Sequence, residues 1–300
     1  MSTKILKERK GKERALIKKT PLLMVFFGLV FVALCIHTVL LIYPYLWLFL
    51  NSLKTSFEYY FFNTMELPQN WLFSNYIDVF EVFVDEKGNT YVDMIFNSVW
   101  WTLATSIPGL FVSCLVAYVV AKFDFRGRNL IWSVIITVMI LPLYGSGAAA
   151  FKQAHTLNLY DSPLIIIKSW GGWSGFQFMM LHAFFRGLPK DYMDAAEIDG
   201  AGYFQTFLTI MLPMALGPII ALWIQSFIGT WNEYMTMITY MPSYPTLSSA
   251  LYEFQQKMAN GSNIVIYYCG ALLTIIPVVV IFACFHDVFL NNVSIGGLKG

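Results

Sequence analysis

The chain has 300 residues, 57% of them hydrophobic and 12% charged, with 26 phenylalanines, 9 tryptophans and a formal net charge of +1. Soluble domains give about a quarter of their residues to charge, so this composition excludes an ordinary water-soluble domain and assigns the chain to a bilayer.

In chain order, the first twenty residues hold eight of the nineteen lysines and arginines. This basic cytoplasmic arm, 1–21, reads as a topology determinant, and no nucleic-acid partner is expected. The apolar run that follows is too long for the core of a signal peptide and carries no small-x-small cleavage site. A helix needs roughly twenty residues to cross a hydrocarbon core of about 30 Å. Runs of that length lie near 22–48, 94–121, 130–150, 164–185, 214–239 and 264–290, with Lys168 and the glycines at 171, 172 and 175 interrupting the fourth. Pro44, Pro108, Pro142, Pro218 and Pro277 fall within or at the ends of these runs, where buried neighbours can satisfy the freed carbonyls.

The fold class expected is an all-α membrane protein with six transmembrane helices in one domain, 22–300. With the amino terminus inside, the inner segments hold fourteen of the lysines and arginines and the outer segments five. That bias sets orientation and places both termini in the cytoplasm. It also gives outer loops at 51–93 and 241–263 and an inner loop at 186–213. Cys35, Cys114, Cys269 and Cys284 lie inside apolar runs without metal or redox spacing, and the four histidines are scattered. Neither a metal site nor a catalytic residue is expected. No G-x-x-x-x-G-K-[ST] occurs, so this chain is not expected to bind ATP.

The inner loop contains Asp194-Ala195-Ala196-Glu197-Ile198-Asp199-Gly200-Ala201-Gly202. At about 100° per residue, Asp194, Glu197 and Ile198 share one side of a helix, and Tyr192, Ala195, Ala196 and Asp199 the other. Pro189 suits the first turn, acidic residues favour its positive end, and Gly200 ends it. Asp199 could cap a second short helix running to Met211. The residues by themselves also fit an acidic, solvated loop.

D-A-A-E-I-D-G-A-G, followed by Phe207, Pro213 and Pro218, resembles the E-A-A-x-x-x-G loop of binding-protein-dependent ABC importers, in the variant of maltose-type sugar permeases. The leading Glu is Asp194 here, which keeps the charge and alters the reach. The resemblance implies a cytoplasmic coupling helix seated in a separate ATPase subunit, with Asp194, Ala195, Ala196, Glu197, Asp199, Gly200 and Gly202 as the coupling residues. It implies as partners a homologous second permease, an ATPase homodimer carrying the ATP and Mg, an extracytoplasmic sugar-binding protein and membrane lipid. The location implied is a bacterial cytoplasmic membrane, multi-pass, and the cargo a carbohydrate, most simply an oligosaccharide.

Further landmarks are similar to the same family. They are Asn51-Ser52-Leu53-Lys54, Leu67-Pro68-Gln69-Asn70-Trp71, Ser74-Asn75-Tyr76, Phe123-Asp124-Phe125-Arg126-Gly127-Arg128 and Gly296-Gly297-Leu298-Lys299-Gly300. Trp231-Asn232-Glu233-Tyr234 resembles the W-N-x-[FY] at the outer end of the fifth span. Those four residues either line the translocation path or form an interfacial aromatic belt with a snorkelling carboxylate. Tyr244, Tyr252 and Phe254 in the last outer loop either stack on sugar or form the loop's core. The rival class is an ATP-independent secondary carrier or channel, in which Glu233 and Asp287 are ion sites.

Overall fold

The computed structural model describes residues 21–141, 145, 147–171, 175–258 and 263–295, with backbone alone for 258 and 287–295. The basic arm, Pro142, Gly172, the carboxy-terminal Gly-Gly-Leu-Lys-Gly and the side chain of Asp287 lie outside this description. The chain divides into two compact units, one ending at Trp71 and one starting at Leu72.

The first unit contains α1 (Pro21–Ser52) and α2 (Ser56–Phe61). Irregular backbone must find partners for its polar groups, and the stretch after α1 finds them in side chains. Asn51 Nδ2 donates to Trp47 O at 2.8 Å and to Thr64 O at 3.1 Å. Thr55 caps α2 by accepting from Glu58 N, and the Glu58 carboxylate accepts from Gln69 N at 2.6 Å. The N-S-L-K landmark is therefore a folded corner rather than an open loop.

Among its described residues the second unit has helices as its only regular elements. It runs through α3 (Asn75–Val82), α4 (Tyr91–Lys122), α5 (Arg128–Ile140), α6 (Gly147–Thr156), α7 (Ile166–Trp170), α8 (Phe176–Gly187) and α9 (Asp191–Ile198). It continues through α10 (Tyr203–Thr206), α11 (Leu212–Met214), α12 (Leu216–Asn232), α13 (Met235–Tyr240), α14 (Leu247–Met258) and α15 (Ile264–Ile295). A capping box opens α4: Thr90 Oγ1 accepts from Asp93 N, and Asp93 accepts from Thr90 N. This satisfies two of the first-turn donors that a helix cannot satisfy internally.

The centre of the unit is α4, packed against α7, α8 and α12. Near its carboxyl end the Tyr118 ring meets Phe123 at 5.5 Å, Phe185 at 5.6 Å and Phe207 at 5.0 Å between centroids. Near its amino end Tyr91, Phe83, Trp231 and Cys269 form a second core. There Phe83 stacks on Phe254 at 4.5 Å. A Cβ at position 270 would stand 3.0 Å from the Phe83 ring, so Gly270 is what lets α15 come this close.

The helices depart from the six expected runs. Three of them, α1, α4 and α15, are each long and apolar enough to cross a bilayer, and a fourth arises if the segments 203–214 and 216–232 count together across a 77° bend. The third run, 130–150, holds the thirteen-residue α5, about 20 Å long at 1.5 Å per residue and so too short alone. Leu141, which precedes a proline, is extended at φ −75° and ψ 118°, as sterics require. The fourth run, 164–185, is split into α7 and α8 by its glycines. The fifth ends at Asn232 rather than 239, with Glu233 extended.

Pro213 and Pro218 account for the bend. Lacking N–H groups they leave the ladder short, and the turn at 207–211 widens so that Leu212 N donates to Phe207 O, five residues back. Ala215, at φ −90° and ψ 0°, then forms the corner.

Because Phe185 is fully buried and Phe176 half-exposed, Phe185→Ala should cost about 3 kcal/mol or more and Phe176→Ala less than about 1 kcal/mol. Thermal unfolding of the purified protein in detergent checks the difference.

Candidate functional site

The acidic turn is α9 and its exit. Lys190 is the N-cap, without a side-chain bond, and Pro189 precedes the cap instead of sitting in the first turn. Asp191 and Asp194 occupy that turn, where the helix dipole favours negative charge. At the other end Gly200 N donates to Glu197 O at 3.0 Å and Ala201 N to Ala196 O at 2.9 Å, the paired bonds of a Schellman motif. Gly200 has φ +79°, and a Cβ there would meet nothing within 4 Å. The left-handed backbone alone demands the glycine. Asp199 is the C-cap of α9 and caps nothing after it, since Gly202 stands at the N-cap of α10.

The expected separation into an acidic face and a small face does not hold. Ala196 is buried beneath the helix while Ala195 is exposed, because adjacent residues lie 100° apart and the core takes one of them. The outward face combines Asp191, Asp194 and Glu197 with Tyr192, Ala195 and Ile198, the last 86% exposed. Tyr203 and Phe204 extend it as further exposed aromatics.

The turn at 122–128 holds this helix in place. Lys122, 6% exposed, donates from Nζ to Leu188 O at 2.6 Å, just ahead of α9. Asp124 pairs with Arg128 and approaches Lys190 Nζ at 3.9 Å, and Phe123 meets the Tyr203 ring edge-on at 5.3 Å. An exposed pair such as Asp124 with Lys190 contributes about 0–1 kcal/mol. A buried charge-assisted bond contributes about 1.5–3 kcal/mol, so Lys122 dominates the anchorage.

Of the four residues at 231–234, one reaches a cavity. Trp231 is buried, stacked on Phe227 at 5.7 Å and donating from Nε1 to Thr274 O at 3.0 Å. Asn232 bonds its own helix, Nδ2 to Ile228 O at 2.9 Å, and Tyr234 stacks on Tyr252 at 4.5 Å. Glu233 instead borders a half-open cavity of about 350 Å³ shared with Trp101, Thr105, Lys168, Thr230 and Tyr240. Both Glu233 oxygens accept from Thr236 N, at 3.0 and 3.1 Å, so the carboxylate also caps α13. Lys168 Nζ lies 5.0 Å over the Tyr240 ring. The Thr105 hydroxyl oxygen is buried and has no hydrogen-bond partner.

By run length alone Lys168 stands out only as an interruption of a span. The signal that would have found it was the cost of an ammonium in an apolar run.

A polar clasp closes beside the cavity. Asp161 accepts from Ser243 N at 2.9 Å and from its hydroxyl at 2.6 Å, while Lys87 Nζ donates to Ser243 Oγ at 2.8 Å. Asp161 N in turn donates to Tyr240 O at 2.7 Å. Tyr244, Tyr252 and Phe254 all pack within the protein, against the Trp101 cluster, Tyr234 and Phe83 respectively. Among the described residues no cluster of three or more His, Cys, Asp or Glu could hold a metal ion.

Residues 109–294 match the family described as binding-protein-dependent transport system inner membrane component. The chain belongs to that family. As such a permease it is a transport subunit rather than an enzyme. Among its relatives is the diacetylchitobiose uptake system permease of Streptomyces coelicolor, 28% identical over 89% of this chain and 87% of that one. Another is the arabinooligosaccharides transport system permease of Bacillus subtilis, 28% identical over 88% of this chain and 92% of that one. A crystal structure of a bacterial ABC transporter involved in the import of the acidic polysaccharide alginate superposes with a TM-score of 0.75 at 20% identity, over 90% of this chain and 99% of that one. At that identity the likeness establishes the permease fold.

A left-handed residue other than glycine costs about 1–2 kcal/mol. In this permease Gly200→Ala should therefore speed amide exchange across 196–201 by about tenfold, and Gly200→Asn by less, as asparagine tolerates that backbone. Hydrogen-exchange mass spectrometry reads both.

Proposed function

We propose that this chain is one permease subunit of an ATP-binding cassette importer for a carbohydrate, most simply an oligosaccharide, and that α9 is its coupling helix. The observation that carries the reading is the outward face of α9, where three carboxylates and Ile198 stand in water on a helix whose opposite side is buried. Such a mixed acidic and apolar face suits a cleft in a separate ATPase. Asp194 and Glu197 pair with cations there, Ala195 allows close packing, and Gly200 makes the turn that returns the chain to the membrane. ATP and Mg belong to the ATPase homodimer.

The remaining partners are a homologous second permease and an extracytoplasmic sugar-binding protein. The relatives' oligosaccharide systems support the cargo class. Six crossings fit the helices if the third and fourth are built from broken segments, which membranes tolerate where protein buries the break. The distribution of lysine and arginine supports cytoplasmic termini and a cytoplasmic α9. A docked helix transmits force only if its contacts differ between the open and closed ATPase, and the rigid seat of α9 supplies the stiff connection this requires.

Glu197→Lys and Gly200→Asp should each lower ATP-driven uptake at least about tenfold, equivalent to about 1.4 kcal/mol of coupling, and the ATPase should no longer co-purify. Wild-type uptake with either variant would overturn the coupling role. Uptake that persists without the ATPase would favour the carrier reading.

A further inference from the structure

We infer that this subunit itself contributes a binding subsite for one uncharged sugar ring on the translocation path, in the cavity between Trp101 and Tyr240. The inference rests on the carbohydrate reading above and goes beyond it, since the family and its relatives do not say which subunit touches the cargo.

At about 350 Å³ the cavity lies near the lower end of the range of ligand pockets, about 300–1,000 Å³. Its lining is mixed in the way a polyhydroxylated ring requires. Trp101 and Tyr240 supply aromatic surface, whose negative faces attract the polarised C–H groups of a sugar. Thr230, Lys168 and Glu233 supply donors and acceptors for hydroxyls, which both give and take hydrogen bonds.

Two details point to a ligand rather than to core packing. Lys168 and Glu233 both face the cavity without forming an ion pair within 4 Å, so each retains capacity for a ligand. One ammonium and one carboxylate also leave the lining balanced in charge, which suits a neutral ring better than a uronate.

The cavity also sits where motion would reach it. Glu233 joins α12 to α13, Thr230 belongs to the last turn of α12, and Tyr240 is held by the Asp161 clasp. Tilting α12 would carry Thr230 and Glu233 past Trp101 and Thr105, which stand on α4. A ring held between the two walls would lose its contacts as the transporter changes the side it faces.

The test uses the complete importer, both permeases and the ATPase in proteoliposomes with the binding protein, and radiolabelled neutral arabino-, galacto- and malto-trisaccharides. Expected is uptake of at least one by the wild type. Thr230→Val should then lower the rate at saturating sugar about tenfold, Glu233→Gln should lower it as well, and Thr230→Ser, which keeps the hydroxyl, should preserve it. If the wild type transports a trisaccharide and Thr230→Val matches it, the subsite is wrong while the carbohydrate reading stands. Equal losses in the valine and serine variants would mean that packing, not a hydroxyl bond, is at stake, and would overturn the subsite too. If the wild type accumulates none of the sugars, the carbohydrate reading falls and takes the subsite with it.

Discussion

A buried ammonium fixes how the acidic turn is seated in this permease. Lys122 closes α4, the helix around which the second unit is built, and its Nζ reaches the carbonyl of Leu188 just before α9 begins. Removing a charge from water is costly unless it is bonded, so this bond confines the spacing between the end of α4 and the start of α9. Tyr118, one turn earlier, fills the space behind with Phe185 and Phe207. The acidic turn thus stands on an aromatic floor with a polar tie at one edge.

Breaks in helices, more than the helices themselves, create the cavity at Glu233. Lys168 lies within the short α7, and Glu233 follows the last residue of α12. Charged side chains at membrane depth need water, a partner or a backbone donor, and a helix end provides the last of these. Glu233 takes the free N–H of Thr236, which α13 leaves unsatisfied at its start. Polar groups gather there because the backbone is already polar. Transporters of other kinds place their binding sites at interrupted helices for a related reason.

What could be read from the residues beforehand divides along the same line. Membrane character, the helical class and the long helices α1, α4 and α15 follow from composition and run length. The turn at Gly200 follows from local chemistry, since a glycine after a helical, acidic stretch is a stop signal that needs no tertiary information. The break after Ile140 was harder, because hydropathy reports the solvent around a segment and not its hydrogen-bond pattern, whereas Lys168 and the glycines beyond it already mark the end of α7. The inward turn of Trp231 and the division of Ala195 from Ala196 depend on which neighbour the helix meets, and no single-sequence periodicity supplies that. The capping box at Thr90 and Asp93 was available in the sequence as T-x-x-D. Asp199 misled because a carboxylate beside a glycine suits either side of a helix boundary.

The corner at Ala215 has a mechanical consequence. Its short limb ends beside the acidic turn, and its long limb, seventeen residues or about 25 Å, ends at the cavity wall. With a 77° bend between the limbs, the pair has the shape of a bell crank: a small push along one arm would emerge as a sideways sweep at the far tip. Two prolines and an alanine thereby set the direction in which such a lever would turn.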